Sequence, residues 1–170
     1  MVELVARALG DDLLRRMAFT GGCATGLLIV DFMPTDERIL GFTNRWYRHA
    51  LASAEPYSLT PDVLIRLVSP AMFVATKLEA HRGRGNNDPL TSRDLEDLIN
   101  LTDGRDDLVA QVGSASPEVT AYIVAEIADL LRDRRFEDAV QGNVRNPDRE
   151  ALIFEQLEAI AGLPTPFVSS

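Results

Sequence analysis

A single lysine marks the stretch of this chain best suited to chemistry. Lys77 opens the run Lys-Leu-Glu-Ala-His-Arg-Gly-Arg-Gly, and every other one of the 17 Lys and Arg residues is an arginine. An ammonium is a compact point charge that suits a phosphate oxygen or a half-buried carboxylate, whereas a guanidinium is a flat fork of donors. On a helix, Lys77, His81 and Arg84 stand at i, i+4 and i+7 and share a face. A short polar segment later, Ser92-Arg-Asp-Leu-Glu-Asp97 puts Asp94 and Asp97 three residues apart. Consecutive helices on a short connection pack antiparallel, which would set the cationic row against the two carboxylates. Two readings follow. One is a polar site for an anionic ligand such as a nucleotide phosphate, with Arg82 and Arg84 adding donors. The other is a structural ion pair between neighbouring helices, with Thr91-x-x-Asp94 acting as a capping box and Asp94 complementing a helix dipole.

The elements that must position these residues can be read from pattern. Ser69-Pro70 is a helix start, and Ala71, Val74, Ala75 and Leu78 form an i, i+3, i+4, i+7 core stripe. Residues 83–90 read as a polar loop. A second helix begins at Thr91 or Ser92, turns Leu95, Leu98 and Ile99 inward, and stops at Gly104. Further helices are predicted over 105–112, 117–133, 134–141 and 147–161. Upstream, residues 2–17 read as an amphipathic helix. Residues 23–30 are an apolar run that is a strand or a short buried helix, a choice periodicity does not make. Residues 41–54 are aromatic and Arg-rich with some helix, and Val63–Val68 has strand composition.

Composition narrows the classes. The chain has 170 residues, is 46% apolar and carries a net charge of −9. It can bury a core, and its charge argues against wholesale non-specific binding to nucleic acid or to an anionic membrane. No apolar run reaches the ~18–20 residues of a membrane span. Cys23 is the lone cysteine, so an intrachain disulfide is excluded and a cytoplasmic setting is the default expectation. With His49 and His81 the only histidines, a His/Cys zinc site is not expected, because such sites need three or four ligands. The cluster Arg45-Trp-Tyr-Arg48 admits base stacking through Trp46 with phosphate contacts from the arginines. It equally admits an aromatic anchor that packs a loop onto the domain.

The block from Leu40 to Arg105 resembles the nucleotidyltransferase superfamily, in particular the AbiEii-like toxins of bacterial toxin–antitoxin pairs. The matching residues are Ser69-Pro70 through Lys77, then Arg82-x-Arg84, then Ser92-Arg93-Asp94-x-x-Asp97. Phe19-Thr-Gly-Gly-Cys-Ala-Thr-Gly26 is similar to the superfamily's glycine turn, and Val30-Asp31 to the strand bearing its last catalytic carboxylate. The resemblance implies transfer of a nucleotide from a nucleoside triphosphate to RNA or protein. It implies Gly21 and Gly22 at the triphosphate, Asp31 as catalytic group and Mg²⁺ ligand, and Lys77, Arg82, Asp94 and Asp97 in the nucleotide site.

One required part is missing from the sequence. The superfamily holds its metal with an Asp-x-Asp or Asp-x-Glu pair between the glycine turn and the last carboxylate, because Mg²⁺ takes hard oxygen ligands and in-line attack at phosphorus needs charge neutralised. Here Gly26-Leu-Leu-Ile-Val30 runs straight into Asp31 without such a pair. The expectation is a nucleotidyltransferase shortened within its catalytic half and inactive in transfer. Its fold would be mostly helical α+β, with a residual mixed sheet of two or three strands and a C-terminal helical bundle. Residues 1–69 would form the α/β portion, 70–162 the helical portion and 163–170 a flexible tail. The alternative is a non-catalytic helical module that binds a protein partner or itself, within a toxin–antitoxin locus.

Overall fold

A computed structural model describes residues 44–61, 63–84, 88–144 and 146–165. The expectations for residues 2–17, Gly21, Gly22, 23–30 and Asp31 lie outside these residues. The described fold is mostly helical α+β: seven α-helices, one 3₁₀ turn and a two-stranded sheet among the described residues. It divides into two compact units. One includes residues 47–69, and the other joins Asn44–Trp46 to everything from Pro70 onward.

In the first unit a short helix, α1 (Tyr47–Ser53), leads into a hairpin of β1 (Glu55–Thr60) and β2 (Val63–Leu67). The strands pair antiparallel, Tyr57 opposite Ile65 and Glu55 opposite Leu67, with an irregularity between Ser58 and Thr60. β2 follows the predicted strand composition. β1 carries Pro56, which weakens a strand signal in sequence because proline lacks the N–H of a ladder. Arg66 reaches back across the hairpin and donates from Nε and Nη2 to the Ala54 carbonyl at 3.1 and 2.6 Å.

The second unit holds α2 (Pro70–Arg84), a 3₁₀ turn (Pro89–Thr91), α3 (Arg93–Gly104), α4 (Leu108–Gly113), α5 (Pro117–Leu130), α6 (Arg134–Asn143) and α7 (Pro147–Ala161). Its helix starts are written in local chemistry. Ser92 caps α3 by accepting the Leu95 N–H, Asp133 caps α6 through the Arg135 N–H, and Asn146 caps α7 through the Asp148 N–H. Each satisfies a donor the first turn leaves open. Pro117 and Pro147 occupy first-turn positions where a missing N–H costs nothing.

The core is apolar side chains at helical spacing. Val74, Ala75 and Leu78 of α2 are buried with Leu95, Leu98 and Ile99 of α3, Ile123 and Ile127 of α5, and Ile153, Leu157 and Ile160 of α7. α2 packs on α3, α4 and α5, and α7 packs on α3, α4, α5 and α6. Removing one of the large side chains would cost about 2–5 kcal/mol. Polar ties fix the neighbours. Arg149 of α7 holds the Asp103 carboxylate and carbonyl at the end of α3, both at 2.7 Å, and Thr120 donates to the Val112 carbonyl at 2.9 Å. Past α7, Leu163 turns back so that its side chain lies 3.6 Å from where a Cβ on Gly113 would stand.

Candidate functional site

Lys77 emerges from α2 beside Leu78, the last residue of its apolar stripe. The packing of α2 on α3 brings it to two of the three acids in the first two turns of α3, Asp94 and Asp97. Its Nζ donates to Asp94 Oδ1 at 3.3 Å and to Asp97 Oδ2. Lys77 and Asp94 side chains are each 17% exposed, and Asp97 is 47% exposed. The cluster is therefore closed at Asp94 and open at Asp97. An ammonium has three protons to donate, and two of them are directed here. The third, and the second oxygen of Asp97, have no hydrogen bond among the described residues. One positive and two negative charges leave the cluster net negative by one. The Phe73 ring, 5.5 Å from Nζ, closes another side.

Near the end of α2, His81 lies one turn past Lys77 and meets the start of α3, while Arg82 faces elsewhere. His81 is buried, and its Nδ1 lies 2.9 Å from the Oγ of Ser92, the cap of α3. Arg82 pairs with Glu126 of α5 instead of joining Lys77. Five helical positions separate Lys77 from Arg82, about 140° around the axis at 100° per residue, so the two cannot serve one small site from a straight helix. His81 and Arg82 line a cavity of about 270 Å³ together with Leu78, Pro89, Glu126, Asp129, Leu130, Asp133 and Arg135.

A third cluster joins α2 to α5 and to the segment before α1. Tyr122 donates to Glu79 Oε2 at 2.9 Å, and Arg45 Nε reaches the same oxygen at 3.2 Å. The Arg45 guanidinium lies over the Tyr122 ring at 4.3 Å and over Trp46 at 5.0 Å. Burial, then the hydrogen bond to Glu79, pushes the Tyr122 phenol well above its usual range, so it stays a donor. Trp46 is 2% exposed with its ring centroid 5.1 Å from that of Tyr122. Base stacking through Trp46 is thereby corrected: the ring is an anchor in the helical unit and has no free face. Asn44 completes the anchor by donating to the Thr76 carbonyl at 2.7 Å and accepting the Trp46 N–H.

Of the sequence-predicted site residues, Lys77, Asp94 and Asp97 come together and Arg82 stands apart. Glu79, Tyr122 and Glu126 were not singled out by the sequence reading. Their signal was present: Tyr122 and Glu126 are polar groups four apart in the mostly apolar middle of α5, hence on one face. Among the described residues no group of three or more His, Cys, Asp or Glu side chains gathers to hold a metal ion. Asp94 and Asp97 each accept from Lys77 through one oxygen. No helix among the described residues is long and apolar enough to cross a membrane. No protein-family model, curated protein or solved structure matches this chain.

Proposed function

We propose that this chain is a nucleotidyltransferase-like protein that binds a nucleoside triphosphate at Lys77 without transferring its nucleotide. The observation that carries this reading is the convergence of Lys77, Asp94 and Asp97 from two helices into a cluster with one side open. The remaining ammonium proton suits a phosphate oxygen, and the free oxygen of Asp97 suits a ribose hydroxyl. The net negative charge of the cluster disfavours a bare triphosphate, so its magnesium complex, which carries less negative charge, is the expected ligand. Transfer is not expected, because the sequence between Gly21 and Asp31 lacks the paired acids that neutralise the reacting phosphates.

Two assays on the full chain test this. Labelled nucleoside triphosphates with Mg²⁺ or Mn²⁺ and total RNA should give no incorporation, while the same nucleotide should be retained in equilibrium dialysis. Incorporation that disappears in Asp31→Ala would overturn the absence of transfer. A second reading, a protein-binding module of a toxin–antitoxin pair, is favoured by the hairpin, where Tyr57, Leu64 and Leu67 are 51%, 56% and 48% exposed. Dialysis without retention of any nucleotide would favour it.

A further inference from the structure

His81 occupies a place where one proton changes several contacts. It lies at the end of α2, 7% exposed, with Nδ1 on the hydroxyl of Ser92. That hydroxyl also accepts the Leu95 N–H at 3.3 Å and so holds the first turn of α3. With the ring neutral and its proton on Nε2, the Ser92 hydroxyl donates to Nδ1 while its oxygen caps the helix. Protonation puts a hydrogen on Nδ1. The hydroxyl must then turn its own hydrogen away, and Oγ must accept from both the ring and Leu95. Asp94, which holds Lys77, is the second residue after Ser92 on that same turn.

We propose that the His81–Ser92 contact is a proton-sensitive latch that fixes the start of α3, and Asp94 with it, at neutral pH and loosens that turn in mild acid. The latch does not depend on what binds at Lys77.

The charges around His81 support this direction. From the 3₁₀ turn comes Asp88, whose oxygens accept from the Leu90 N–H and the Thr91 hydroxyl, both at 3.2 Å. From α3 comes Asp94, already on Lys77. From α5 come Glu126 and Asp129, paired with Arg82 and Arg132, and at the start of α6 Asp133 is paired with Arg135. On α2 itself Lys77 is one turn away. Glu126, Asp129 and Asp133 are each paired with an arginine and Asp94 shares Lys77 with Asp97, which weakens their attraction for an imidazolium. Burial accordingly lowers the His81 pKa below its ordinary value, opposed in turn by Asp94, Asp133 and Asp88. A histidine whose folded pKa lies below its unfolded one binds fewer protons when folded. The stability of its neutral form is complete above the unfolded value, about 6.5, and is lost as pH falls from there to the folded value.

The test is a pH series on the full chain with two readouts. The first is NMR titration of the His81 ring, distinguished from His49 by a His49→Gln variant. The second is hydrogen exchange at Leu95 and Glu96, corrected for intrinsic rates, between pH 7.5 and 5. The ring should titrate below 6.5, and protection should fall about tenfold for each unit by which it does so. His81→Gln, which can bond Ser92 without charging, should flatten the fall. Ser92→Ala should lower protection at every pH and remove the step. A ring that titrates at or above 6.5 would overturn the latch whether or not the variants fold. A His81→Gln protein with the wild-type pH profile would overturn it as well.

Discussion

Lys77 and Arg82 stand five residues apart on one helix, carry the same charge, and are implied in the same site by the same resemblance, yet they meet different fates. Lys77 is largely covered and shared between two carboxylates of α3, whereas Arg82 is 60% exposed and pairs with Glu126 of α5. The difference is helical geometry joined to burial. Position 77 borders the apolar stripe that packs on α3, and position 82 has rotated toward α5. Where charge sits beside core, losing one partner strands the others in a place water reaches poorly. Where charge sits in solvent, losing a partner merely frees a side chain.

The comparison breaks most readily at the lysine. Lys77→Ala removes the cation that Asp94 and Asp97 share. It should destabilise the protein by about 1–3 kcal/mol in urea unfolding, the partial exposure of Asp97 placing it under the cost of a wholly buried pair. Adding Asp94→Asn and Asp97→Asn to Lys77→Ala should recover much of that loss, because the repulsion is then gone. An unfolding midpoint unmoved by Lys77→Ala would show that the cluster contributes nothing to holding α2 on α3.

The two acids sharpen the contrast within the cluster. Asp94→Asn, at the covered end and in the first turn of α3 where negative charge complements the dipole, should cost about 1–2 kcal/mol. Asp97→Asn, at the open end, should cost less than about 1 kcal/mol. Equal losses would mean that exposure does not govern the strength of these bonds. Arg82→Ala gives the smallest effect, below about 1 kcal/mol and diminishing with added salt.

What sequence made legible was mainly what is local. Ser69-Pro70 marks a helix start because proline chemistry acts within one turn. Lys77 with Asp94 and Asp97 was legible because a short connection forces adjacent helices into contact. The pairing of Arg82 with Glu126 spans 44 residues and depends on how α2 crosses α5, which no local pattern encodes. Trp46 offered two readings because an aromatic beside two arginines has the same sequence whether it faces core or ligand. Only the packing on Tyr122 separates them. β1 escaped because Pro56 and the polar residues around it resemble a loop until β2 supplies a partner.

The central claim is that Lys77, and not Arg82, serves a nucleotide. Isothermal titration of the full chain with nucleoside triphosphates, with and without Mg²⁺, tests it most directly when repeated on Lys77→Met and Arg82→Ala. The account predicts saturable heat in the presence of Mg²⁺, weakened at least about tenfold by Lys77→Met, as loss of one charge-assisted contact requires, and little changed by Arg82→Ala. No binding by the wild-type chain, or binding that Arg82→Ala abolishes while Lys77→Met leaves it intact, would contradict it.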